Sequence, residues 1–163
     1  MGYGGRMAIT GLVHVNINCS DFERSKAFYE LLGFQELWRV PETSTTEVAA
    51  AVGMPPYRVN GALLLLRDAA TPLVIDLLQW LDPNDPAPPY AHLYHLGIAR
   101  IALSTDDLDG DMARLAAAGV EFLSAPAQMP PDSGVDARFV CLRDPDGTVL
   151  ELVETRTAPS APA

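Results

Sequence analysis

One feature constrains the fold of this chain more than any other: a segment near its start is repeated, faintly, in its second half. "GLVHVNINCSDFERSKAFYELLGF", residues 11 to 34, aligns with "GIARIALSTDDLDGDMARLAAAGVEF", residues 97 to 122, with Asp21 on Asp107 and Gly33 on Gly119. A unit of this size cannot bury a sheet face alone, so a repeat of it implies two modules that share a core. The same alignment places His14 opposite Arg100.

Each copy carries its own punctuation. "ITGLVHVNINC" alternates and is rich in β-branched residues, which predicts a strand with His14, Asn16 and Asn18 on one face and Val13, Val15, Ile17 and Cys19 on the other. Ser20 or Asp21 caps a following helix whose stripe is Ala27, Phe28, Leu31 and Leu32, and Gly33 ends it. "FQELWRV", "NGALLLLRD" and "PLVIDLLQW" are further strands, the last two a hairpin around "AAT", and "TTEVAAAVG" is a short helix begun by Thr45 or Thr46. The second copy predicts a strand in "ARIALST" and a helix in "DLDGDMARLAAAG" with Met112, Leu115 and Ala116 facing the sheet. Strands in "VEFLSAP", "ARFVCLRDP" and "GTVLELVET" follow, with Asp144 to Gly147 reversing the chain between the last two. The expected class is α+β: one domain over residues 1–163, with βαβββ modules over 9–81 and 97–154, a proline-rich linker over 82–96 and a tail over 155–163. The two four-stranded mixed sheets are expected to form one open, curved, barrel-like cleft with the helices outside. A dinucleotide-binding fold is excluded by the lack of a glycine fingerprint.

Charge narrows the function. Eleven Lys and Arg against 21 Asp and Glu give a net charge of −10, which repels phosphate backbones and anionic membranes. No apolar run reaches the length of a signal peptide or membrane span, so a soluble cytoplasmic protein is expected. Two cysteines, Cys19 and Cys141, make no disulfide framework and read as small buried apolar residues.

Strand parity then collects the chemistry. His14 on the first strand, Asp76 on the last strand of the first module, Arg100 on the fifth and Glu151 on the last strand of the second all fall on the faces turned away from the helices. The offset between modules is 86 residues at His14 and Arg100 but 75 at Asp76 and Glu151, the difference being the "TTEVAAAVGMPP" excursion. Buried charges need partners, so the four either neutralise one another as a structural ion cluster or line the floor of a ligand cleft. Asn16, Asn18, Tyr57, Asn60 and Trp80 would then supply hydrogen bonds and apolar walls to the ligand.

The pattern "HVNINCSDFERSKAFYELLGF" with "IDLL", then "RIALSTDDLDGDMARLAAAGVEF" with "RDPDGTVLELVE", resembles the vicinal oxygen chelate superfamily, the glyoxalase fold, over about residues 9 to 154. It is most similar to two-module members such as glyoxalase, methylmalonyl-CoA epimerase and catechol-dioxygenase-like proteins. By position, the resemblance implies metal ligands at His14, Asp76 and Glu151, and a third ligand where this chain has Arg100. A guanidinium stays protonated and has no lone pair to give a metal. His95 substitutes only if the strand begins with a bulge.

The expected protein therefore has no cofactor and is a metal-independent lyase, isomerase or cyclase of secondary metabolism. His14 and Glu151 would move protons, Arg100 would bind an anionic or enolate oxygen, and Asp76 would complete the catalytic set. The alternatives are a non-catalytic drug-binding or resistance protein, and a glyoxalase-like or dioxygenase-like enzyme holding a divalent metal on His14, Asp76 and Glu151. A homodimer is implied by the resemblance.

Overall fold

The computed structural model describes residues 10–67, 69 and 71–156, which divide into two compact units, Met1–Asp85 and Pro86–Ala163. The first unit runs β1 (Val15–Asn18), α1 (Phe22–Leu31), β2 (Phe34–Arg39), α2 (Thr46–Ala51), β3 (Arg58–Leu66) and β4 (Leu73–Asp82). The second runs β5 (Ile101–Thr105), α3 (Leu108–Ala117), β6 (Ala127–Gln128), a 3-10 turn at Pro131–Ser133, β7 (Ala137–Arg143) and β8 (Val149–Thr155). Sheet orders are β1-β4-β3-β2 and β5-β8-β7-β6, with β1 and β5 parallel to their neighbours and the remaining pairs antiparallel.

The repeat is visible in the local chemistry. Asp21 and Asp107 are the N-caps, accepting from the amides of Arg24 and Gly110 at 2.9 Å each. Gly33 and Gly119 follow the helices with φ of 94° and 87°, a region that L side chains avoid. A last-strand side chain also anchors each helix start: the Phe22 amide donates to Gln79 Oε1 at 3.2 Å, and the Leu108 amide to Glu154 Oε1 at 3.2 Å.

The helices α1 and α3 each cover one face of their own sheet. In the first unit Phe22, Phe28 and Tyr29 of α1 bury against Ile17, Leu64, Ile75 and Leu77, and Tyr29 stands edge-on to Phe28 and Phe34 with ring centroids 5.3 and 5.9 Å away. In the second unit Leu108 and Leu115 pack with Leu103, Val140, Leu142, Leu150 and Leu152. Among the described residues no helix is long and apolar enough to cross a membrane.

Several expectations are corrected. The barrel-like cleft is replaced by two open sheets: β1 and β2 are the free edges of one, β5 and β6 of the other, and among the described residues neither sheet closes or curls. Four strands accumulate too little twist and stagger to close on themselves, since small barrels need about eight. The α1 stripe is phased through Phe22, Ser25, Phe28 and Tyr29, leaving Ala27 and Leu31 exposed, because Phe22 and Tyr29 are the largest groups and lie two turns apart on one face. On α3 Ala116 is exposed and Leu108 takes its place in the core. "VEFLSAP" makes one bridge, Phe122 to Leu142, before the chain leaves the sheet, and strand pairing resumes only at β6, beyond Pro126, which has no amide to donate. Residues 10–14 lie outside β1, so exposed Val13 is no part of the core face. Part of the β3–β4 connection, residues 68 and 70, and most of the tail, 157–163, lie outside the described residues.

Candidate functional site

Register decides what each open sheet face presents. In the first unit Asn16 pairs with Asp76 and Asp76 with Leu63, so these three form one row across β1, β4 and β3. The equivalent row of the second unit is Ala102, Glu151 and Cys141. His14 and Arg100 stand in the same place in their units, one residue before β1 and β5.

In the first unit His14 Nε2 lies 4.0 Å from Asp76 Oδ2, an ion-pair distance too long for a hydrogen bond. The Asp76 side chain is only 17% exposed, and its Oδ1 is buried with no hydrogen-bond partner. Burial therefore pushes the Asp76 carboxyl above its ordinary value, opposed in part by the charge of His14. Asn16 donates from Nδ2 to the Asp76 main-chain carbonyl at 2.9 Å and so ties β1 to β4 beneath the pair. Further along the same face Trp80 Nε1 donates to Asn18 Oδ1 at 2.9 Å, and the Tyr57 and Trp80 rings lie 4.9 Å apart at 51°.

Asn60 does not join this group. It pairs with Gln79 on the helix side of the sheet, where its Oδ1 accepts from Arg39 Nη2 at 3.0 Å and its Nδ2 donates toward Gln79 Oε1 at 3.4 Å. Its work is structural, at the start of α1.

In the second unit Arg100 Nε closes directly on Glu151 Oε2. Glu151 is buried and Arg100 is half exposed, and no other carboxylate or carbonyl of the described residues meets the guanidinium. Cys141 Sγ approaches the same Glu151 oxygen at 3.9 Å. Cys141 is partly exposed on this face, not buried as expected, whereas Cys19 is buried on the helix side. Burial first, and the Glu151 charge second, push the Cys141 thiol up. Counting two residues outward from Arg143 and Val149, which flank the Asp144 turn, places Cys141 opposite Glu151 and would have found it.

A divalent ion fits these residues poorly. The first unit offers two donors, His14 and Asp76, and the second offers Glu151, already engaged by Arg100, with a cation where a third donor is needed. Among the described residues no group of three or more His, Cys, Asp or Glu side chains is gathered to hold a metal. His95 does not fill the gap: it lies before β5, its ring stacked on Tyr90 at 4.5 Å.

Residues 11–152 match the family model described as the glyoxalase/bleomycin resistance protein/dioxygenase superfamily. The chain belongs to that superfamily. It is 32% identical over 151 residues to YwkD of Bacillus subtilis (strain 168), covering 91% of this chain and 99% of that protein. Among solved structures it is similar to the glyoxalase family protein APC24694 from Bacillus cereus, with 22% identity, a TM-score of 0.75, and coverage of 92% of this chain and 99% of that one. It is also similar to TnmS3, an antibiotic binding protein from Streptomyces sp. CB03234, with 27% identity, a TM-score of 0.61, and coverage of 92% and 99%. A glyoxalase-superfamily fold accounts for the two modules.

The Asp76 carboxyl yields a prediction with a definite sign. A carboxyl whose folded-state pKa lies above its unfolded value binds its proton more tightly when folded, so the charged form penalises the fold above the folded pKa, and the penalty is relieved as pH falls through it. Asp76→Asn is therefore expected to be more stable than the wild type at pH 7, with the advantage shrinking as the pH approaches 4. Urea unfolding at both pH values measures it; an equal or lower stability of the variant at pH 7 contradicts it.

Proposed function

We propose that this protein is a metal-independent enzyme of the lyase, isomerase or cyclase kind, acting on a small carbonyl compound. The observation that carries the reading is Arg100, a permanent cation held by the buried Glu151, at the position where the family resemblance would put a metal ligand. Removing a proton next to a carbonyl requires a base and a counter-charge for the enolate oxygen that develops. His14, exposed beside Asp76, is the base of this reading. On the second unit, Arg100 is the group suited to receive an anionic or enolate oxygen. Glu151 shares one oxygen with Arg100 and Cys141, so it serves mainly to orient the guanidinium. Asp76 keeps His14 turned to the open face and takes up charge when the imidazole is protonated.

The test is exchange of carbon-bound hydrogen. In deuterated buffer the wild type should incorporate deuterium next to the carbonyl of at least one member of a panel of keto acids and keto esters, followed by proton NMR. His14→Gln should abolish the exchange and leave ligand binding within about twofold, whereas Arg100→Gln should weaken both. No exchange on any member, with binding indifferent to both substitutions, would sink the reading.

A second reading, sequestration of a small aromatic molecule without turnover, is favoured by the Tyr57–Trp80 pair with Asn18 and by the likeness to an antibiotic binding protein. With Trp38 replaced by Phe, quenching of Trp80 fluorescence by planar aromatic compounds, unaffected by His14→Gln, would establish it.

A further inference from the structure

The open face of the second unit combines groups that the proton-transfer reading uses only in part. Arg100 meets Glu151 along the Nε side of its guanidinium, which leaves the far edge of the fork, Nη1 and the outer hydrogen of Nη2, for a ligand. The Cys141 sulfur sits against the same Glu151 oxygen. One row further along the sheet, Ser104, Val153 and Phe139 lie side by side by register, one hydroxyl and two apolar groups.

We propose that this face is a recognition site for a small monocarboxylate, gripped by the far edge of Arg100, with its α-carbon beside Cys141 and its apolar remainder over Val153 and Phe139. The inference deepens, and rests on, the reading that Arg100 receives an anionic oxygen of the ligand. The fork geometry of a guanidinium matches a planar carboxylate through two parallel hydrogen bonds. Charge selects against a phosphate dianion. Glu151 already neutralises Arg100, and a chain of net charge −10 adds repulsion that grows with each ligand charge. The apolar neighbours disfavour a fully hydrated anion such as oxalate.

Cys141 lets the site report on itself. Iodoacetate and iodoacetamide alkylate a thiol by the same reaction: the sulfur forms a bond to the CH2 carbon, the carbon–iodine bond breaks, iodide leaves and the thiol proton passes to buffer. The two reagents differ in the carboxylate. Relative to glutathione in the same buffer, the iodoacetate-to-iodoacetamide rate ratio at Cys141 is expected to be raised about tenfold, as one charge-assisted contact allows. Millimolar propionate should protect Cys141 and inorganic phosphate should not. Arg100→Gln should return the ratio to the glutathione value, and Arg100→Lys should retain only part of the gain. Buried Cys19, read by peptide mass mapping, stays unlabelled in any variant that is folded.

A ratio at Cys141 equal to that of glutathione, with no protection by propionate, overturns the carboxylate site. Protection by phosphate but not by propionate overturns it too, while leaving intact the reading that Arg100 takes an anion. Protection by neither anion, with labelling unchanged in Arg100→Gln, overturns both.

Discussion

Tyr29→Ala is expected to cost about 3–5 kcal/mol, the range for emptying a fully buried aromatic site. Tyr29 has no exposure at all and stands edge-on to both Phe28 and Phe34, so the cavity would open where α1, β2 and the sheet meet. The consequence reaches the candidate site. Among the described residues β1 is an edge strand paired with β4 alone, and Ile17 of its inner face is part of the core that α1 covers. Loosening α1 should therefore free His14 from Asp76 before the second unit is affected. Urea unfolding gives the magnitude, and amide exchange at Val15 to Asn18 gives the order of events. A loss below about 1 kcal/mol would mean that the aromatic cluster is not the keystone of the first unit.

The second large effect concerns Arg100 and Glu151, and its asymmetry is the informative part. Arg100→Met should cost about 2 kcal/mol, because it strands a carboxylate that is only 10% exposed. The figure lies below the range of about 3–5 kcal/mol for breaking a fully buried pair because the Arg100 side chain is 45% exposed. Glu151→Gln should cost about 1 kcal/mol or less, since the released guanidinium is hydrated where it stands. The double variant should be more stable than the sum of the single effects predicts, by about 1 kcal/mol. Equal single costs with strict additivity would show that the pair contributes nothing to the fold.

How far these residues could be read in advance depended on whether local chemistry or long-range register placed them. The ends of α1 and α3 were legible because Asp21, Gly33, Asp107 and Gly119 act through their own backbones: a cap accepts from an amide three residues on, and a glycine takes a positive φ without outside help. The alternation of β1, β4 and β8 put Asn16, Asp76 and Glu151 on the correct faces for the same reason. Asn60 was misplaced because its face follows from the β3–β4 register, where Leu66 pairs with Leu73 across six intervening residues, too long a connection for turn chemistry to set the phase. The α1 stripe was read one step out of phase because Ala27 and Leu31 are apolar but smaller than the aromatic Phe22, Phe28 and Tyr29, and the bulkiest side chains decide which face turns inward. The barrel was over-read from the repeat, which calls for two modules and carries no information on closure.

On the proposed reading, Arg100 replaces a metal ligand and the protein handles its ligand with side chains alone. This is tested most directly by elemental analysis of the chain purified without affinity tag or chelator, before and after loading with zinc, manganese, iron and nickel. Well under one ion per chain is expected in every case, unchanged in His14→Ala. About one tightly held ion per chain, lost in His14→Ala, would contradict it and return Lewis-acid chemistry to this fold.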